Sequence, residues 1–169
     1  MRTLAAGLLF AMSASVAMGQ ANAVVDPLAP VAWLAGGTWK AEVPNPNGGA
    51  NTKIEQKMER ALGGKAIRFA TTFNGVEQYE GFFSWDAAKK QIVFSYPSAT
   101  GDVTNGVAAE APAGGVVMDF TIDNADGTAA KYEVRIKKAG ADDYTWSLFT
   151  ASATGALVPM FEVKYHRES

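Results

Sequence analysis

The sequence predicts an all-β protein: an antiparallel up-and-down β-barrel of about ten short strands, preceded by one helical turn. Three observations carry this. From Trp39 onward apolar and polar residues alternate with period two in run after run, and turns rich in Gly, Asn, Asp and Pro separate the runs at short spacing. No later stretch shows the long helical period that a crossover between parallel strands requires. Successive hairpins make a meander, and closing a long meander into a barrel removes its exposed edges.

The chain opens with one positive charge at Arg2, an apolar run from Leu4 to Met18, and Ala21-Asn22-Ala23, the form of a signal-peptidase site. The run is shorter than the roughly 20 residues a bilayer requires, and Pro27 and Pro30 follow at once, which argues against a transmembrane anchor. Residues 1–23 are therefore expected to be an export signal, with cleavage after Gly19 or Ala21 as alternatives, and 24–169 a single domain. A periplasmic or secreted location follows from that reading.

Val31-Ala32-Trp33-Leu34 is expected to form one helical turn, stopped by Gly36-Gly37. The first strand then sets Trp39, Ala41 and Val43 against Thr38, Lys40 and Glu42, and the stretch from Pro44 to Gly49 reads as a loop. In the second run Lys53, Glu55, Lys57 and Glu59 oppose Ile54, Gln56, Met58 and Arg60. A helix would place like charges four residues apart there, so strand is favoured. Ile67, Phe69, Thr71 and Phe73 form one face of a third strand, and Asn74-Gly75 is a strong two-residue hairpin signal. Tyr79 to Trp85 and Ile92 to Tyr96 continue the alternation. A weaker strand covers Val103 to Glu110. Val116 to Ile122, Lys131 to Lys137, Tyr144 to Phe149 and Pro159 to Arg167 complete the count, with Pro159, Phe161, Val163, Tyr165 and Arg167 on one face of the last.

Composition removes several function classes. The chain has no cysteine, which excludes disulfides, thiolate metal sites, a thiol nucleophile and a lipid-bearing cysteine. Without Arg2 the mature chain carries 14 Lys and Arg against 17 Asp and Glu, a net charge of about −3 with the signs interspersed, so nucleic acid is not an expected partner. The single histidine, His166, cannot complete a zinc set or a Ser-His-Asp triad, and no phosphate loop is present. Asp123-Asn124-Ala125-Asp126-Gly127 lacks the closing Glu of a calcium loop and reads as a turn. No cofactor and no metal is expected.

With the charged faces turned to water, the inner faces collect aromatic residues, among them Trp39, Phe69, Phe83, Phe94, Phe120 and Tyr132. In a barrel of ten strands a cavity is the expectation, the alternative being that the rings simply pack against one another. Gln56, Arg60, Tyr79, Trp85, Tyr96 and Trp146 are the candidate ligand-binding residues: a few polar groups on otherwise apolar faces fix the orientation of a bound molecule. Arg60 requires a partner if buried, and would reach solvent if its strand ends near Glu59. The expected ligand is a small hydrophobic or amphipathic molecule. A scaffold for interactions is the alternative, favoured if Phe82, Val93 and Phe149 form one exposed patch. A cavity enzyme is a further one, with Glu77 or Glu110 beside Tyr96 as its acid–base pair.

Gly37-Thr38-Trp39 at the head of the first strand, the meander behind it and Arg167 on the last strand together resemble the calycin superfamily of lipocalin-like barrels. Trp33-Leu34-x-Gly36-x-Thr38-Trp39 with Tyr165-His166-Arg167 is similar to exported bacterial lipocalin-like domains of unknown function and, more distantly, to the nitrobindins. The resemblance implies that Gly37, Trp39 and Arg167 are a structural signature at the closed barrel end, with the Arg167 guanidinium over the Trp39 ring. Nitrobindins bind haem through a histidine of the last strand. By register that position is Met160 here, so the resemblance extends to haem only weakly.

Overall fold

The structure, a computed structural model, describes residues 26–45, 48–152 and 154–168. The expected export signal lies outside the described residues. A helical turn α1 (Ala29–Ala32) precedes ten strands: β1 (Gly37–Val43), β2 (Thr52–Ala61), β3 (Ala66–Phe73), β4 (Val76–Asp86), β5 (Gln91–Pro97), β6 (Val103–Glu110), β7 (Val116–Asp123), β8 (Ala129–Lys138), β9 (Asp143–Ala151) and β10 (Leu157–Glu168). Each strand pairs antiparallel with its sequence neighbours, and β1 meets β10 to close the barrel. The fold is the predicted one.

α1 begins two residues earlier than its apolar pattern suggested. Pro30 suits the first turn of a helix, where its missing N–H is no loss, and the Asp26 carboxylate accepts the Leu28 N–H at 2.9 Å just before it. Leu28, Val31 and Leu34 are at most 1% exposed, so this turn plugs one end of the barrel, where it lies against β6. Burying each such side chain contributes about 1.5–3 kcal/mol.

The Asn74-Gly75 hairpin forms as expected, both residues having positive φ, of 50° and 80°. Asn74 also ties the hairpin to β2: its Oδ1 accepts the Lys53 N–H at 2.9 Å, and its own N–H donates to the Lys53 carbonyl at 2.8 Å. Asp123–Gly127 is likewise a hairpin turn, in which the Asp126 carboxylate accepts from the Thr128 N–H and hydroxyl.

Two irregularities depart from simple alternation. The register between β3 and β4 shifts after Thr71, which pairs with Tyr79 whereas Thr72 pairs with Glu77. On β10 the register shifts between Pro159 and Phe161, which are opposite Phe149 and Leu148. The bulge at Met160 corrects the expected face of β10, since Pro159 and Phe161 fall on opposite sides of the strand.

The ladder between β1 and β10 is short. It joins Thr38 to Glu168, Trp39 to Arg167 and Lys40 to His166. The rest of β1 continues beside β2 as far as Val43, and β10 upstream of His166 pairs only with β9 among the described residues. The wall therefore closes at its plugged end and parts toward the other.

Candidate functional site

The plugged end is built around Trp39. The ring is fully buried, and its indole Nε1 donates to the Leu34 carbonyl at 2.7 Å. The Arg167 guanidinium lies 4.3 Å from the Trp39 ring centroid, and its Nη2 donates to the Trp33 carbonyl at 2.6 Å. A Cβ on Gly37 would approach Arg167 Cγ and Cδ to 3.0 Å, so glycine is the residue that lets the arginine stem pass over the strand. Gly37, Trp39 and Arg167 thus act together: one makes room, one is covered, one covers.

From this cap a column of rings leads inward. Trp33 and Trp39 meet edge-on at 6.1 Å, Trp39 and Tyr144 at 4.7 Å, and Tyr144 stacks on Tyr165 at 4.8 Å. Beyond Tyr165 the interior is not filled. A cavity of about 240 Å³ remains, and four of the six candidates, Gln56, Tyr79, Tyr96 and Trp146, line it. Ring-to-ring packing and an open space therefore coexist: Phe69 and Tyr79 each touch Tyr96, at 5.4 and 5.5 Å, on one side of the cavity.

The cavity wall has two chemistries. Met118, Phe120, Ile122, Val134, Ile136 and Leu148 make one side apolar but for the indole N–H of Trp146. Opposite them Tyr144 donates its hydroxyl to Gln56 Oε1 at 3.0 Å, and Gln56 Nε2 donates to Thr71 Oγ1 at 3.2 Å. Tyr79, Tyr96 and Tyr165 bring three phenols to the lining itself. Burial pushes the Tyr165 phenol well above its ordinary range, with a smaller contribution from Tyr79, and raises Tyr144 likewise. Burial also raises Tyr79 and Tyr96, so these hydroxyls are neutral donors and acceptors at physiological pH. Among the described residues no charged side chain lines the cavity.

Two candidates do not belong to this wall. Arg60 shares the parity of Gln56 but stands beyond the cavity at the plugged rim, where it is paired with the Asp26 carboxylate and donates to the Gly64 carbonyl at 3.2 Å. This pairing holds Asp26 below the usual carboxylate range. Trp85, near the end of β4, is 36% exposed and also outside the lining. Thr71 was missed by sequence reasoning, although a polar residue between Phe69 and Phe73 on an inner face was a usable signal.

Glu77 and Glu110 are both exposed and neither lines the cavity, so no carboxylate joins Tyr96 there. Phe82 lies on β4 and Val93 on β5, whereas Phe149 lies on β9 under the Arg135 guanidinium at 4.9 Å; the three do not form one patch. Haem does not fit the donor set. Met160 is 51% exposed at the bulge and outside the lining, and His166 lies on the surface with its Nδ1 2.9 Å from Asp143 Oδ1.

The molecule is thus a closed ten-stranded antiparallel barrel with an uncharged, partly aromatic cavity. Among solved structures it is similar to Rv2717c from M. tuberculosis, with a TM-score of 0.51 and 14% sequence identity over 85% of this chain and 98% of that one. At that identity the likeness shows the fold alone. No protein-family profile matches the sequence, and no curated protein matches it.

Proposed function

We propose that this barrel is a calycin-type binding protein whose cavity takes the neutral, largely apolar part of a small molecule, together with one polar group. The observation that carries this reading is the two-sided wall: a neutral cluster of Gln56, Thr71 and tyrosine hydroxyls faces a largely apolar side. The cap of Gly37, Trp39 and Arg167 supports the calycin assignment. Size narrows the ligand. A dry cavity of about 150 Å³ accepts benzene, and drug-sized sites begin near about 300 Å³. A volume of about 240 Å³ lies between, which suits one or two fused rings or a short chain. A charge placed inside would lose its hydration without a partner, so the buried part of the ligand is neutral.

Fluorescence titration with 1-naphthol tests this. Saturable one-to-one binding is expected, and Val134→Trp, which fills the apolar side, is expected to weaken it at least tenfold while the barrel stays folded by circular dichroism. Absence of saturable binding to the wild-type protein, or equal binding to the filled variant, would overturn the reading.

A further inference from the structure

The parted wall between β1 and β10 gives the cavity a side opening. Continuing their ladder past Lys40 and His166 would set Ala41, Glu42 and Val43 opposite Tyr165, Lys164 and Val163, but none of these pairs forms. The inward residues on the two sides of the gap are Ala41 and Val43 of β1, which pack against the core, and Phe161 and Val163 of β10, which line the cavity. Phe161 is 53% exposed even so. Upstream on β10, Leu157, Val158 and Met160 are also exposed, so an apolar lip leads from the cavity to the outside along the free edge of that strand.

Outside the gap is a depression whose charged lining is Lys40, Lys53 and Lys164 with Glu42 and Glu55, and Ile54 is common to it and to the cavity. Lys40 at its edge is already bridged, to Glu55 at 3.3 Å and to Glu168 at 2.8 Å. Lys53 and Lys164 have no ion-pair partner among the described residues. Glu42 stands between them in the depression, opposite Lys53 in the β1–β2 ladder, and accepts from Asn51 Nδ2 at 3.0 Å without bridging either lysine, so two ammonium groups there face one carboxylate.

From this arrangement we infer that the ligand is an elongated amphipath with an anionic end. Its apolar part occupies the cavity, its chain leaves through the gap past Phe161, and its carboxylate- or phosphate-type terminus rests outside between Lys53 and Lys164. The inference deepens the proposed function and rests on it. The physical logic is a division of labour: the interior admits no charge, the gap allows a molecule longer than the cavity, and the two lysines receive the end that cannot enter.

Calorimetric titration with decanoate and with 1-decanol, which share a chain and differ in head group, separates the contributions. Decanoate is expected to bind the wild-type protein at least fivefold more tightly than decanol. Lys53→Gln/Lys164→Gln should bring the two within twofold, while Lys131→Gln/Lys137→Gln, on β8, leaves the preference intact. 1-Naphthol should bind all three proteins alike. Decanoate binding unchanged by Lys53→Gln/Lys164→Gln, or weakened equally by the β8 variant, overturns the inference while naphthol binding still supports the cavity. Failure of naphthol to bind the wild-type protein overturns both.

Discussion

Arg167 does three things with one side chain: it covers the Trp39 ring, donates to the Trp33 carbonyl and crosses Gly37. Arg167→Ala should therefore destabilise the protein by about 2 kcal/mol, as the sum of a cation–π contact and a charge-assisted hydrogen bond less what relaxation recovers. Arg167→Lys should recover little, because an ammonium neither stacks flat nor forks. Urea denaturation of the three proteins checks this, and equal midpoints for all would refute it. This cap was legible in the sequence because it rests on a motif and on strand parity. Arg60 and Trp85 were not, because parity assigns a face and not a depth. Gln56 and Arg60 share a face four residues apart, yet one lies in the cavity wall and the other at the rim beside Asp26, a partner 34 residues away in sequence. Nothing local to β2 announces that pairing.

Among the elements, the strands were the easiest to read. Alternation located β6, the weakest pattern, at Val103–Glu110, because flanking turns bounded it. The bulges were hidden. An extra residue on β10 leaves local composition unchanged, and only the facing strand, with Pro159 opposite Phe149 and Phe161 opposite Leu148, reveals it. The hairpin between β3 and β4 carries the prediction at this scale. Asn74→Ala places a Cβ-bearing residue without a local acceptor at φ 50° and removes the bond from the Lys53 N–H. A loss of about 1–2 kcal/mol is expected. Asn74→Gly, which tolerates the backbone but also lacks the acceptor, should lose less. Thermal melts of both variants decide the matter, and a larger loss for glycine would contradict the account.

For the whole molecule, the closed barrel was legible but the remaining space was not. Inner-face residues can be enumerated from a sequence, whereas the volume left between their rings depends on rotamers and on how α1 seats in the plugged end. The enclosed phenols give the barrel an alkaline limit. Tyr79, Tyr96, Tyr144 and Tyr165 all have pKa values raised above the ordinary 10.0, chiefly by burial. Between that value and their folded values the unfolded chain releases protons that the folded one keeps. Their contribution is thus complete below pH 10 and is lost as pH rises through the folded values. Absorbance at 295 nm should show these four phenols ionising together with loss of the near-ultraviolet dichroism; four independent titrations near pH 10 in a folded protein would contradict this.

The three-pair seam has a consequence in time as well as in space. Every other ladder joins neighbours in sequence, but the Trp33 carbonyl and Arg167 are 134 residues apart. Closing so long a loop is slow, and the last strand is also the last to be synthesised. During folding the sheet can zip from hairpin to hairpin while Trp39 waits uncovered, and the arrival of Arg167 turns an open curl into a barrel. The emission of Trp39, read in a variant whose Trp33, Trp85 and Trp146 are replaced by Phe, is therefore a clock for the final step of assembly rather than for collapse.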